Sequence, residues 1–216
     1  GLSNEGNEVA WGTIGNASTS EGMFFETINA AGVLQIPMVT AIWDDDYGIS
    51  VHAKHQTTKE NISEILKGFQ RSDDQNGFEI IRVKGWDYSG LIEAYEKAER
   101  IAREEHVPVM IHVREMTQPQ GHSTSGSHER YKNEARLSWE KDFDCIRKMR
   151  EWIIQHDLFT EEELDDIEKE AKQAARTAKA NAWKEFLAPI KEEVNEVASL
   201  LEDLAEASSR PDRLKE

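Results

Sequence analysis

The sequence predicts an α/β fold: a doubly wound, mostly parallel sheet, followed by a long helical C-terminal part. Three observations predict it. Strand-like and helix-like segments alternate from residue 7 to residue 114, two of the strand segments are continuous apolar runs, and only helical spacing is found from Leu137 onward. Alternating strands and helices imply crossover connections and therefore parallel pairing. A run that is apolar at every position suits a strand covered on both faces.

The elements follow in order. "NEVAWGTI", Asn7 to Ile14, reads as a short strand with β-branched and aromatic residues. Ser20 to Leu34 places Met23, Phe24, Ile28, Ala31 and Leu34 at three- and four-residue spacing, a helix with one buried face. "IPMVTAIW", Ile36 to Trp43, is the first continuous apolar run. "TTKENISEILKGFQ" opens with Thr57 and Glu60, the spacing of a capping box, and is expected to continue as a helix. "GFEIIRVKG" is a strand, Asp87 to Glu105 a helix, and "HVPVMIHVRE" a buried strand. The polar stretch "EMTQPQGHSTSGSHERYKNEAR" has no period, and loops of this length in compact domains are functional or mobile. These signals divide the chain into an α/β domain, 1–133, and a helical region, 134–216.

In the helical region, Leu164, Ile167, Ala171, Ala174, Ala178 and Ala182 form a narrow stripe. Pro189 is expected to break the helix. Ile190, Val194, Val197, Leu201 and Leu204 then follow at heptad-like spacing. Residues 151–216 hold 18 acidic and 9 basic residues. Both a solvated amphipathic appendage and a partner-binding helix fit that pattern.

The totals exclude several classes. A net charge of −16 argues against nucleic acid or an anionic membrane as the main partner, because both require basic surface. The one cysteine, Cys145, allows no disulfide within the chain, which favours a reducing cytoplasm. The apolar runs are too short to span a bilayer, and no signal peptide is visible. The chain begins at Gly1 almost on top of a strand, as a piece of something longer would.

Ligands of open α/β sheets sit beyond the carboxyl ends of the strands. Two such ends carry polar clusters here. Gly15-Asn16-Ala17-Ser18 follows the first strand and opens a helix, whose free N–H groups favour a phosphate. Asp44-Asp45-Asp46-Tyr47-Gly48 follows the first apolar run. The aspartates cannot hold a bare phosphate, but they can hold a cation that bridges to one. Mg²⁺ takes about six hard oxygen ligands, usually one or two carboxylates plus substrate phosphates. Alone, the small-residue turn is a common turn and the aspartates a solvated loop. At successive strand ends, they point together to a metal-bridged diphosphate.

With these motifs the chain resembles the alpha subunit of the thiamine diphosphate-dependent first component of 2-oxoacid dehydrogenase complexes, of the pyruvate and branched-chain type. The family's cofactor signature is Gly-Asp-Gly or Gly-Glu-Gly, then about thirty residues, then Asn-Asn, with a Tyr one residue further on. Here these parts read "GNASTSEGMFFETINAAG" and "WDDDYGISV", and Asp45 lies 29 positions after Asn16. Similarity extends through "HQT", "VKGWD", "PVMIHV", the loop "GHSTSGSHERYK" and the helix "WEKDFDCIRKMREWI".

The resemblance implies the thiamine diphosphate-binding fold, truncated at its N-terminus, with thiamine diphosphate and Mg²⁺ as cofactors. It places metal ligands at Asn16, Asp45 and Tyr47, the last through its backbone carbonyl. Gly15, Ala17, Ser18 and Ile49 join them around the cofactor, with Ala17 and Ser18 donating backbone N–H groups to the diphosphate. His122 matches the active-site histidine that handles substrate carboxylate and acyl transfer. The chain departs from the family at both side-chain ligands, yet it keeps one carboxylate and one amide with the positions exchanged. That exchange conserves the charge facing Mg²⁺ and implies a competent site, with Asp44 behind the ligands or pointing elsewhere.

Other departures are the absence of an Arg just before Gly121-His122 and Gly126 in place of an Asp. A loop-ordering contact is therefore expected from Arg114, Arg130 or another chain. Ser123 matches a position phosphorylated in some members. The implied reaction is decarboxylation of a 2-oxoacid, with the acyl group passed to a lipoyl-bearing second component. The glutamate that activates the cofactor lies in the family's beta half, so a beta subunit or fused half is the expected partner, in a dimer of alpha/beta units. This chain alone is expected to be inactive. The rival expectation is a catalytically inactive remnant acting in subunit assembly.

Overall fold

The computed structural model describes residues 6–122 and 127–208. They form an α/β arrangement whose main sheet is wholly parallel. Strand β1 is Ala10–Gly15, β2 Met38–Trp43, β5 Glu79–Lys84 and β6 Val109–Arg114, in the order β1-β2-β6-β5. A separate antiparallel hairpin, β3 Tyr47–Gly48 and β4 Val51–His52, follows β2 and has no counterpart in the sequence reading.

Helices cover both faces of the sheet. Helix α1, Gly22–Leu34, and the single turn α2, Ile62–Ile65, pack on one face. There Phe24, Ile28, Ile62 and Leu66 meet Ile42, Phe78 and Met110. Helix α3, Tyr88–Arg100, covers the other face, where Ala94 and Ala98 meet Val39, Val109, Ile111 and Val113. Successive β6 side chains thus enter opposite cores, which is why "VMIHV" is apolar at nearly every position. On α1 only Phe24, Ile28 and Ala31 are buried, whereas Met23 and Leu34, expected on the same face, are exposed.

Two expectations are corrected. The Thr57/Glu60 capping box does not form. Lys59 and Glu60 have left-handed backbones (φ 62° and 54°), so Glu60 cannot occupy a third helical position. Asn61 caps α2 instead, with its side-chain oxygen accepting the Glu64 N–H at 3.2 Å. Asn61→Ala is therefore expected to lower stability by about 1 kcal/mol in urea denaturation, and Thr57→Ala to change it by much less. The reverse ranking would reinstate the box.

The second correction concerns Pro189, which lies inside helix α6, Glu161–Ala207, without ending it. The missing N–H removes one hydrogen bond, but Glu185, whose carbonyl loses that donor, is exposed and open to water. The helix is also well started, since Thr160 and Glu163 form a capping box. Ile190, Val194, Val197, Leu201 and Leu204 are each about half exposed. The chain divides into two compact units, Gly1–His156 and Asp157–Glu216, with α6 in the second.

Helices α4, Glu134–Asp142, and α5, Cys145–Gln155, belong to the first unit and are capped by Asn133 and Asp144. Aromatic contacts fix them near the carboxyl ends of the strands. Trp86, just after β5, lies 5.1 Å from Phe143, and Phe143 stacks on Trp139 at 5.3 Å. No helix among the described residues is long and apolar enough to cross a membrane.

Candidate functional site

The parallel pairing of β1 and β2 puts Gly15 directly opposite Trp43, so both strands end at the same level. The Asn16 N–H continues the pairing to the Trp43 carbonyl at 3.1 Å. Beyond it the chain makes a 3-10 turn over Ala17–Ser20, closed by the Thr19 hydroxyl on the Asn16 carbonyl at 2.6 Å. The Asn16 side chain makes no capping bond and is 7% exposed. The helix expected to aim its N–H groups at this cluster begins only at Gly22; the tighter 3-10 turn stands in its place.

Asp45 follows β2. Its carboxylate accepts the Tyr47 N–H at 3.1 Å, an Asx turn that leads into the hairpin. The hairpin folds back onto the first turn. A Cβ added at Gly48 would fall 2.6 Å from the Ala17 Cβ, so glycine is what lets the two backbones approach.

The result is one cleft of about 900 Å³. Gly15, Asn16, Ala17 and Ser18 form one wall, and Asp45, Tyr47 and Ile49 the other. His122, on the loop after β6, also lines it. All the residues nominated as cofactor or metal ligands, and His122, thus lie on the same cavity. Ser123 and Gly126 lie outside the described residues. Glu21, Trp43, Gln56 and the segment Met116–Gln118 line the cleft as well, although no role is assigned to them from the sequence.

Burial pushes the Asp45 carboxyl above the usual carboxylate range, against the pull of the Tyr47 N–H, Lys132 and Arg136. The donors are hard oxygens, an amide and a carboxylate, as Mg²⁺ requires. Among the described residues no group of three His, Cys, Asp or Glu side chains could hold a metal, so an ion here needs further oxygens from a ligand.

Asp44 points away from the cleft, into the sheet. Its Oδ1 accepts the Asp46 N–H at 2.9 Å, and its Oδ2 lies 2.9 Å from Nε2 of the fully buried His112. The carboxylate can only accept, so Nε2 carries the proton of this bond. His112 Nδ1 lies 2.9 Å from Ser63 Oγ, which also receives the Arg82 Nε–H at 2.8 Å. Ser63 is fully buried, so this Asp-His-Ser chain is a buried support rather than a nucleophile.

On α4, Arg136 donates from Nη2 to the Asp45 carbonyl at 2.7 Å, and its Nη1 pairs with the Asp46 carboxylate. Arg136 and Glu140 are four residues apart, which in sequence reads as an ordinary surface pair.

The model of the family described as "Dehydrogenase E1 component" matches residues 3–190. The "2-oxoisovalerate dehydrogenase subunit alpha 1, mitochondrial" of Arabidopsis thaliana is 28% identical over 85% of this chain and 38% of its own length. The "Pyruvate dehydrogenase E1 component subunit alpha" of Rickettsia bellii is 21% identical over 80% of this chain and 50% of its own length. The "2-oxoisovalerate dehydrogenase subunit alpha, mitochondrial" of Dictyostelium discoideum is 27% identical over 82% of this chain and 39% of its own. The chain thus spans half or less of the length of these relatives.

Proposed function

Because the chain belongs to the dehydrogenase E1 component family, we propose that it supplies the diphosphate- and cation-holding side of a thiamine diphosphate-dependent 2-oxoacid dehydrogenase site. One observation carries the reading: the turn after β1, the Asp45–Ile49 segment and His122 face a single cleft at the carboxyl ends of parallel strands.

Asn16 Oδ1, the Asp45 carboxylate and the Tyr47 carbonyl would hold the Mg²⁺. They would supply three of the roughly six oxygens that the ion takes, leaving the others to diphosphate and water. The Ala17 and Ser18 amides, at the start of the 3-10 turn, donate to the diphosphate. Gly15 and Ala17 keep that wall low enough for the phosphates to reach the backbone. Ile49, on the hairpin, and Trp43 give the cleft apolar surface against the rest of the cofactor. His122 lines the cleft, where an imidazole can orient a substrate carboxylate and take part in proton transfer. Thiamine diphosphate, when bound, supplies the carbanion stabilisation that decarboxylation of a 2-oxoacid needs. The acyl acceptor is a lipoyl group on a second component, and the beta subunit or half brings the carboxylate that activates the cofactor.

The shared ligand shell implies a specific test. In the protein assembled with its beta partner, Mg²⁺ alone or thiamine diphosphate alone is expected to shift the melting temperature little. Together they are expected to give a large, saturable shift, because each completes the other's site and both bind only the folded state. A melting temperature that stays flat with both present would refute the reading and favour a remnant kept for assembly.

A further inference from the structure

We propose that Arg136 is a positioning residue for the cation site: its planar fork ties the loop that carries Asp45 to the segment that leads to His122. The inference rests on the cation-and-diphosphate reading of the cleft.

The guanidinium touches three elements at once. Nη2 donates to the Asp45 carbonyl at 2.7 Å and reaches the Met116 carbonyl at 3.5 Å. Nη1 pairs with the Asp46 carboxylate, and Nε donates to Glu140 Oε1 at 2.9 Å. Asp45 and Met116 both line the cleft, on the two loops that carry the cation ligands and His122. Its Cζ lies 5.5 Å from the Tyr47 ring centroid and 4.6 Å from that of Trp139, within cation–π reach of both.

The fork does not swing freely. Glu140, its anchor on α4, also accepts from Lys132 Nζ at 2.7 Å, and both of those residues are buried. Lys132 itself lies 5.1 Å from the Tyr47 ring. Arg136 thus fixes the backbone at Asp45 from behind, while the Asp45 side chain stays on the cleft side. Such outer supports set ligand orientation, and losing one typically weakens metal binding by about 10- to 100-fold.

Shape matters as well as charge. Arginine presents several donors in one rigid plane, whereas lysine is a single charged point on a flexible stem. Lysine at 136 can reach Asp46 or Glu140, but it cannot also span the Asp45 and Met116 carbonyls.

The test uses Mn²⁺ as a spectroscopic stand-in for Mg²⁺, with thiamine diphosphate present, in the complete protein assembled with its partner. Free Mn²⁺ is read by electron paramagnetic resonance for wild type, Arg136→Lys, Arg136→Gln and a distant exposed control, Arg147→Gln. Backbone hydrogen exchange is followed in the same samples. Both Arg136 variants are expected to weaken Mn²⁺ binding by about 10- to 100-fold. Exchange should quicken at Asp46 and Tyr47 while β2 and β6 keep their protection, and the control should match wild type. Wild-type affinity in Arg136→Lys would overturn the fork, since charge alone would then suffice. Loss of protection throughout the sheet would overturn it too, by making Arg136 a general structural residue. If wild type itself takes up no Mn²⁺ with thiamine diphosphate present, the cofactor reading falls and this inference falls with it. Binding in wild type that is unchanged in Arg136→Gln overturns this inference alone.

Discussion

Replacing Asp45 by Asn is expected to remove the Mg²⁺ response by at least about 100-fold, since loss of a direct ligand should exceed the usual effect of losing an outer support. Asp45 is the single carboxylate among the nominated ligands, so the variant leaves the cation facing two amides. Restoring the carboxylate on the other wall, with Asn16→Asp added to Asp45→Asn, should bring affinity back to within about tenfold of wild type. Calorimetry with thiamine diphosphate present reads both values. A double variant as weak as the single one would show that the walls are not interchangeable.

The same substitution should stabilise the ligand-free protein. Burial raises the folded pKa of Asp45 above its ordinary value near 3.8, so the native state holds the proton longer than the unfolded chain. The sign follows from linkage: this contribution is favourable below the unfolded pKa and is lost as pH rises through the folded one. Above its folded pKa the ionised carboxylate is therefore a liability in the ligand-free protein. Asn removes the charge and keeps an oxygen for the Tyr47 N–H. Asp45→Asn should melt higher than wild type at neutral pH without ligands, and a lower melting temperature would contradict the burial argument.

The second large effect is expected at His112. His112→Leu strands the Asp44 carboxylate, which is 6% exposed, and removes the Nδ1 contact from Ser63. Leaving a buried acceptor without its donor costs about 1–3 kcal/mol, and more for a charged group. That is a large share of the roughly 5–15 kcal/mol that holds a typical domain together. Adding Asp44→Asn should recover part of the loss, because the group left behind is then neutral and still accepts the Asp46 N–H. Urea denaturation of the two single variants and the double one measures the coupling. A loss below about 1 kcal/mol in His112→Leu would mean that water reaches Asp44 and the network is not closed.

How much of this was legible in the sequence depended on whether the signal was local. Buried parallel strands announce themselves, because a strand that feeds two cores must be apolar throughout; "VMIHV" could be read in this way, His112 apart. The 29-residue interval between Asn16 and Asp45 spans a helix and a strand, so it could suggest neighbouring strand ends before any coordinates.

Capping at Thr57 could not be decided in advance. The spacing allowed a box, but the left-handed backbones at Lys59 and Glu60 handed the cap to Asn61. Pro189 does not end α6, because one missing hydrogen bond on an exposed helix is a local cost. The supports of the site were invisible for a different reason. Arg136 contacts Asp46 across 90 positions, and His112 contacts Asp44 across 68, through side chains that look ordinary where they stand.

The close approach at Gly48 bears on how the hairpin can vary. A methyl group there would sit 2.6 Å from both the Ala17 Cβ and the Gln56 amide oxygen, far inside contact distance. The hairpin is seated against the turn after β1 by the absence of a side chain, and any substitution would have to lift one off the other.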